Sequence, residues 1–389
     1  MKVLIVNRYM SVYGGAEQVV RELTLALARN NIDNAVVTLN ISPEVRSRMS
    51  DTALITPKKN FPYALRSSSL RASLGIINEI RSLRELVSRH HHDFDLINVH
   101  NFPANWVAYG LGKPVVWMCN EIADFYNNPH PSALVQGVRA IGVAIDKYFV
   151  NNHTDIICVA DRLNAGAVKK RYKRRSEIVP YGIDAPPDYR CLEDAKPKTY
   201  ATYRISGKDF LILQVGVVSP TKNQRASVDA LLALKGASPE VKLILAGPDQ
   251  NPYADSLKEY IRAQGIEDRV IFTGLLKKSD IYSLYSVCNL CLFPVKLQGG
   301  YLSVFEALSV GVPVVVYPTM GAATLVEDHD LGVVSEDLVR HIKDIRQNYP
   351  FHREKSRKAG DWVRTNLTWE HFSQRLIEIF EQALRGKRS

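Results

Sequence analysis

The stretch richest in chemical possibilities runs Phe293-Pro-Val-Lys-Leu-Gln298-Gly299-Gly300-Tyr301-Leu302-Ser-Val-Phe-Glu306-Ala-Leu-Ser-Val-Gly311-Val-Pro313. An apolar strand ends at Pro294, a glycine-bearing loop follows, and a helix reaches about Val310 before Gly311-Val-Pro313 opens the next strand. The N–H groups of Gly299, Gly300, Tyr301 and Leu302 are suited to hold phosphate, because a helix start carries unsatisfied donors and the positive end of the dipole. Glu306 is the only charge in that apolar helix. A carboxylate so placed can accept hydrogen bonds from a ribose diol, and the plainer reading is a glutamate on an outer helix face. Gly216-Val-Val-Ser-Pro-Thr-Lys222 is a second strand-end turn. There Lys222 is suited to neutralise a diphosphate, against the ordinary reading of a solvated lysine. Near the start, Gly14 and Gly15 sit at another strand-to-helix turn, where glycine lets backbone approach an anion closely.

These loops need strands to hold them, and the sequence supplies two series. Val3–Val6, Ala35–Leu39, Leu96–Val99, Pro114–Met118 and Ile156–Val159 are short β-branched runs with helical patterns between them. Phe210–Val215, Val241–Leu245, Val270–Phe272, Leu290–Phe293 and Val312–Val316 repeat the pattern. Continuous apolar strands alternating with helices imply parallel sheets covered on both faces. Ligands of such sheets bind beyond the carboxyl ends of the strands, which is where the three loops fall. Pro180 to Pro187, with the polar segment to about Lys208, has the composition of a domain boundary.

Taken together, the motifs resemble retaining glycosyltransferases of family 4, the group 1 transferases of the GT-B fold. Gln298 to Val315 is similar to the family's Glu-x7-Glu segment with Glu306 as the second acid, and Gly216 to Lys222 resembles its diphosphate loop. Tyr13 to Glu17 resembles the first-domain glycine loop, and Val179 to Asp184 the segment that closes that domain. Phe272 to Leu276 is similar to the stretch whose backbone meets the nucleobase, and Thr368-Trp369-Glu370 opens a helix like the one that returns to the first domain. The resemblance implies an α/β fold of two Rossmann-like, doubly wound parallel-sheet domains with a C-terminal crossover helix. The expected divisions are 1–190 for the acceptor, 200–366 for the nucleotide-sugar and 367–389 for the returning helix. It also implies metal-free, retaining transfer of a hexose from a UDP- or GDP-sugar to a glycan or lipid-linked acceptor, with no cofactor. Asn120, Glu121, Lys222, Gln298 and Glu306 would act on the reacting groups, and Leu276 with the glycine loops would bind substrate. A nucleotide-sugar epimerase and a weakly active nucleotide-sugar-binding protein are the alternatives. Three positions depart from the family: Gln298 replaces an acid, Val217 an arginine, and Asn120-Glu121 a His-Asp pair. An asparagine hydrogen-bonds a hydroxyl but cannot serve as a titratable base.

Composition narrows the classes further. The 389 residues are too many for one ordinary domain. No run approaches a membrane span and Met1 leads straight into strand sequence, so a cytoplasmic protein is expected. Five scattered cysteines, Cys288 and Cys291 among them, suit reduced core thiols rather than disulfides or a metal site. Of the net charge of +10, residues 1–190 hold seven, from 24 Lys+Arg against 17 Asp+Glu. Lys169 to Arg175 and the stretch from Arg66 to Arg89 are its densest parts. The latter has a stripe of Leu70, Leu74, Ile77, Ile80 and Leu83 that suits either core packing or peripheral contact with anionic membrane. No nucleic-acid partner is expected.

Overall fold

A computed structural model describes residues 1–10, 15–50, 52–58, 61, 70–120, 133–236, 240–296 and 301–386. The chain divides into two compact units, Met1–Tyr181 with Trp369–Ser389, and Gly182–Thr368.

In the first unit the described elements run β1 (Lys2–Asn7), β2 (Tyr9–Met10), α1 (Gly15–Arg29), β3 (Asp33–Val37), β4 (Asn40–Ile41), α2 (Pro43–Arg48), β5 (Ala53–Ile55) and α3 (Leu70–His90). They continue with β6 (Leu96–His100), β7 (Val115–Met118), α4 (Ala133–His153), β8 (Ile156–Val159), α5 (Arg162–Tyr172) and β9 (Glu177–Ile178). Seven of these strands form one parallel sheet in the order β5-β3-β1-β6-β7-β8-β9. The strand order reverses between β1 and β6, whose last residues, Asn7 and His100, lie side by side. Val3 to Val6 are wholly buried, as a strand covered on both faces requires.

The second unit holds α6 (Tyr189–Tyr203), β10 (Phe210–Val215), α7 (Gln224–Ala233), β11 (Val241–Ala246), α8 (Pro252–Ala263), β12 (Val270–Gly274) and α9 (Lys278–Val287). After them come β13 (Leu290–Phe293), α10 (Tyr301–Ser309), β14 (Val314–Val316), α11 (Ala322–Asp328), β15 (Val333–Val334), α12 (Leu338–Gln347) and α13 (Tyr349–Asn366). Its parallel sheet has the order β12-β11-β10-β13-β14-β15, reversing between β10 and β13. Both units are therefore doubly wound, and each places its switch point beside a loop that the sequence singles out.

The polar stretch after Pro187 is not a linker. Asp188 caps it by accepting from Arg190 N–H at 2.8 Å, and Tyr189–Tyr203 form α6, which packs on α9 within the second unit. Only Leu192 and Thr199 of this helix are buried, so its apolar stripe is too thin to show in composition. Of the stripe on α3, Leu83 is fully buried and Ile80 packs against the core cluster, while Ile77 stays exposed; the side chains of Leu70 and Leu74 lie outside the described residues.

The last helix, α14 (Trp369–Gly386), belongs to the first unit and packs on α1. Phe372, Leu376, Ile379, Phe380 and Ala383 line its buried face at helical spacing. We expect Phe380→Ala, which empties a fully buried site, to destabilise the chain by about 3–5 kcal/mol. Urea denaturation followed by tryptophan fluorescence measures this, and an unchanged midpoint would contradict the docking of α14.

Candidate active site

At the carboxyl end of the second sheet, three adjacent strands finish in glycine. Gly216, Gly247 and Gly274 have φ of +140°, +150° and +66° and lie at the ends of β10, β11 and β12. Gly216 N–H donates to Ala246 O at 2.8 Å and Gly247 N–H to Gly274 O at 3.1 Å. A Cβ on Gly247 would stand 2.3 Å from Gly216 O, so the two backbones touch with no room for a side chain. The sequence motif contains Gly216; Gly247 was missed, because Ala-Gly-Pro-Asp reads as an ordinary turn.

The loop after β10 is fastened on all sides. Gln214 Nε2 donates to Lys222 O at 2.7 Å, and Ser227 Oγ donates to Gln214 Oε1 at 2.7 Å. Gln224 accepts from Ser219 N–H at 3.1 Å and donates to Val217 O at 3.0 Å, while Asn251 Nδ2 donates to Val218 O at 2.9 Å. Lys222 then lays its stem across Gly216, with Cε 3.4 Å from where a Cβ would stand. No carboxylate pairs with Lys222 among the described residues. Burial lowers its pKa to about 8, because removal from water penalises the ammonium form. Val217 points outward, 47% exposed, where an arginine would have reached solvent. A second cation that the sequence reading passed over stands close by: Lys296 is exposed, and its N–H donates to Thr221 O at 3.0 Å. A lysine three residues before Gly299 was the available signal.

Glu306 lies inside the unit rather than on an outer helix face, accepting a hydrogen bond from Lys278 Nζ. Lys278 also approaches Asp184 Oδ2 at 3.6 Å. Burial pushes the Glu306 carboxyl upward, and the Lys278 ammonium opposes that shift. Tyr282 donates to Asp184 O at 3.3 Å and Tyr285 to Ser303 O at 3.2 Å, closing the pocket around the pair. At the start of α10, Tyr301 is buried and meets Phe305 ring to ring at 4.8 Å, while Leu302 is half-buried. Leu276 is half-buried just beyond Gly274. Gln298, Gly299 and Gly300 lie outside the described residues.

In the first unit, Asn120 follows β7 and accepts a hydrogen bond from Tyr181 OH, so the Val179–Asp184 segment holds it in place. Its Nδ2 is buried with no partner among the described residues. On the adjacent strand β6, Asn98 Nδ2 donates to Val116 O at 3.0 Å, which turns Oδ1 toward His100 Nε2 at 2.8 Å. The imidazole therefore carries its proton on Nε2, and Nδ1 is a buried acceptor without a partner among the described residues. Burial lowers the His100 pKa to about 3, so the ring is neutral. A histidine ending an apolar strand was the sequence signal for this group. Behind it Arg8 pairs with buried Glu79 at 2.6 Å, and Tyr9 OH donates to the same carboxylate at 2.7 Å. Gly15 is exposed at the start of α1; Gly14 and Glu121 lie outside the described residues.

No group of three His, Cys, Asp or Glu side chains fit to hold a metal occurs among the described residues. Cys288 and Cys291 are buried thiols with Sγ atoms 3.8 Å apart. No described helix is long and apolar enough to cross a membrane.

Two family models divide the chain between them: Glycosyltransferase Family 4 matches residues 13–185 and Glycosyl transferases group 1 matches 196–381. The chain is a family 4 glycosyltransferase. Its relatives include YqgM of Bacillus subtilis (strain 168), an uncharacterized glycosyltransferase 22% identical over 306 residues, 76% of this chain and 79% of that one. O-antigen chain mannosyltransferase C of Escherichia coli is 22% identical over an alignment of 404 positions that spans both chains fully. Among solved structures, Anabaena HepE in complex with UDP and glucose superposes with a TM-score of 0.77 at 18% identity, over 98% of this chain and all of that one. The transferase thus has the GT-B fold, with two Rossmann-like units.

We expect Gly247→Ala in this transferase to cost roughly 1–3 kcal/mol in backbone strain alone, because its φ of +150° and the contact with Gly216 both exclude a Cβ. Urea denaturation reads the loss; a stability equal to that of the unmodified chain would contradict the glycine contact.

Proposed function

We propose that the transferase moves a hexose from a UDP- or GDP-sugar to a glycan or lipid-linked acceptor, with retention and without a metal ion. The observation that carries this reading is Lys222, a half-buried ammonium without a carboxylate partner among the described residues, lying across bare glycine backbone at the end of the second sheet. Such a cation stabilises a diphosphate leaving group more than it would in water, since it is fixed in place before charge develops. Backbone N–H groups at the start of α10 and the exposed Lys296 add to that charge, offsetting the missing arginine at Val217. Glu306, held by Lys278, accepts from the ribose hydroxyls. Leu276 lies against the base.

On the first unit Asn120 and Glu121 orient sugar and acceptor, with His100 as a neutral neighbour. Among the described groups there, Asn120 does not titrate and His100, its pKa lowered to about 3 by burial, is too weak a base to hold the acceptor's proton. The departing phosphate therefore takes the acceptor's proton on the same face from which it leaves, which gives retention. Gln298 replaces an acid beside the donor sugar and weakens its grip there, because a hydrogen bond to a charged group contributes about 1.5–3 kcal/mol against about 1 for a neutral one. HepE with UDP and glucose supports a nucleotide-sugar donor, and the O-antigen mannosyltransferase supports a glycan acceptor. A nucleotide-sugar donor is in keeping with a cytoplasmic protein.

Lys222→Ala and Glu306→Ala are each expected to weaken nucleoside diphosphate binding by more than about tenfold, equivalent to about 1.4 kcal/mol. Calorimetry reads both, and unchanged affinity in both variants would refute the donor site. Because the Lys222 pKa is lowered to about 8, the free protein keeps this charge below that pH and loses it above. Affinity should accordingly fall as pH rises through about 8, and the fall should vanish in Lys222→Ala. Transfer should survive EDTA; a loss restored by Mg²⁺ would defeat the metal-free mechanism.

A further inference from the structure

We propose that the outer face of α4, with the cationic end of α5 beside it, docks on an anionic lipid surface. Ile141, Ile145 and Tyr148 of α4 are 62%, 39% and 58% exposed. Their spacing of four and then three residues puts them in one line along the helix. Single exposed apolar side chains need no explanation, but a continuous stripe marks a contact surface. Beneath the stripe lies an aromatic layer in which Phe149 stacks on Trp106 at 5.6 Å and meets Tyr109 at 5.1 Å. Tyr109 is itself partly exposed and carries the Arg84 guanidinium over its ring at 4.0 Å. Rings with one apolar and one wet side favour the headgroup zone of a bilayer.

Among the described residues, the charge on this face is mainly positive. The single acid of α4, Asp146, turns inward and accepts from Asn105, Trp106 and Tyr172 at 3.0, 2.7 and 2.6 Å. Lys147 faces out beside Tyr148. Just past α5, Arg174 donates to the carbonyls of Val150 and Thr154, tying the end of α5 to the end of α4 within about two turns of Tyr148. Lys169, Lys170, Lys173 and Arg175 are exposed at this corner. The neighbouring acids are engaged within the unit: Asp155 accepts from Val115 N–H at 2.7 Å, and Glu177 pairs with Arg375 at 2.8 Å.

An apolar stripe beside clustered cations is the pattern that sums insertion among acyl chains with attraction to anionic headgroups. A second copy of the chain would cover the stripe, but it would bring like charges together at the corner.

Flotation of the full chain tests this, using vesicles of phosphatidylcholine alone and vesicles with an equal share of phosphatidylglycerol. Nucleotide is left out, so failure here leaves the donor-site reading standing. The chain should float with the anionic vesicles only and be released by high salt. Ile141→Ser with Tyr148→Ser, and separately Lys169→Glu with Lys170→Glu, should each weaken binding by about tenfold or more, with unchanged circular dichroism and Tm. Recovery of the unmodified chain in the soluble fraction with both vesicles overturns the proposal, as does flotation of both variants like the unmodified chain. A dimer in light scattering that the serine variant converts to monomer also overturns it, since the stripe would then join two copies.

Discussion

The closeness of two backbones governs the donor side of this molecule. Gly216 O stands 2.3 Å from where a Gly247 Cβ would be, so the ends of β10 and β11 meet without intervening side chains. The loop leaving β10 can then lie flat on the end of β11, where Val218 N–H donates to Pro248 O at 2.9 Å. Once flat, the loop has its carbonyls satisfied by Gln214, Gln224 and Asn251. Lys222 is left one path for its stem, over the face of Gly216. A single absent methyl group thereby fixes the place of the Lys222 charge.

The second unit treats buried Glu306 and half-buried Lys222 in opposite ways. Glu306 has a counter-ion in Lys278 and is enclosed by Tyr282 and Tyr285; burial pushes its carboxyl upward and the Lys278 ammonium opposes that shift. Lys222 has only desolvation acting on it, and its pKa falls. An unpaired buried cation is costly by itself and becomes favourable once an anion arrives. Pairing where geometry must be kept, and withholding a partner where a ligand must be drawn, is the electrostatic plan of an anion site prepared in advance.

Much of this was legible because parallel strands covered on both faces cannot hide. Phe210–Val215 and Leu290–Phe293 were read from the sequence to the residue, and α1, α10 and α14 within a residue or two. The short strands β2, β4, β9 and β15 were not, since two residues carry no periodicity. Groups that act through tertiary pairing were equally silent. Lys278 is one of two adjacent lysines, and nothing local shows that it reaches Glu306 across 28 positions. His100 gives no sign of its tautomer until Asn98, two residues earlier on the same strand, is seen anchored to Val116 on the next.

The charge surplus of the first half acquires a meaning only from topology. Among the described residues, the carboxyl edge of its sheet presents Asn7, a neutral His100 and Asn120, while the nearby Arg8 is consumed by Glu79. The cations instead gather around the starts of β8 and β9, where Arg174, Arg175 and Glu177 lie, at the opposite edge. Neutral amides and an imidazole suit the hydroxyls of a sugar, whose recognition needs direction rather than field. Strong positive potential at that edge would hold diphosphate on the wrong unit. The cations clustered at the far edge are thereby kept apart from the neutral amides and imidazole that end β1, β6 and β7 on the carboxyl side.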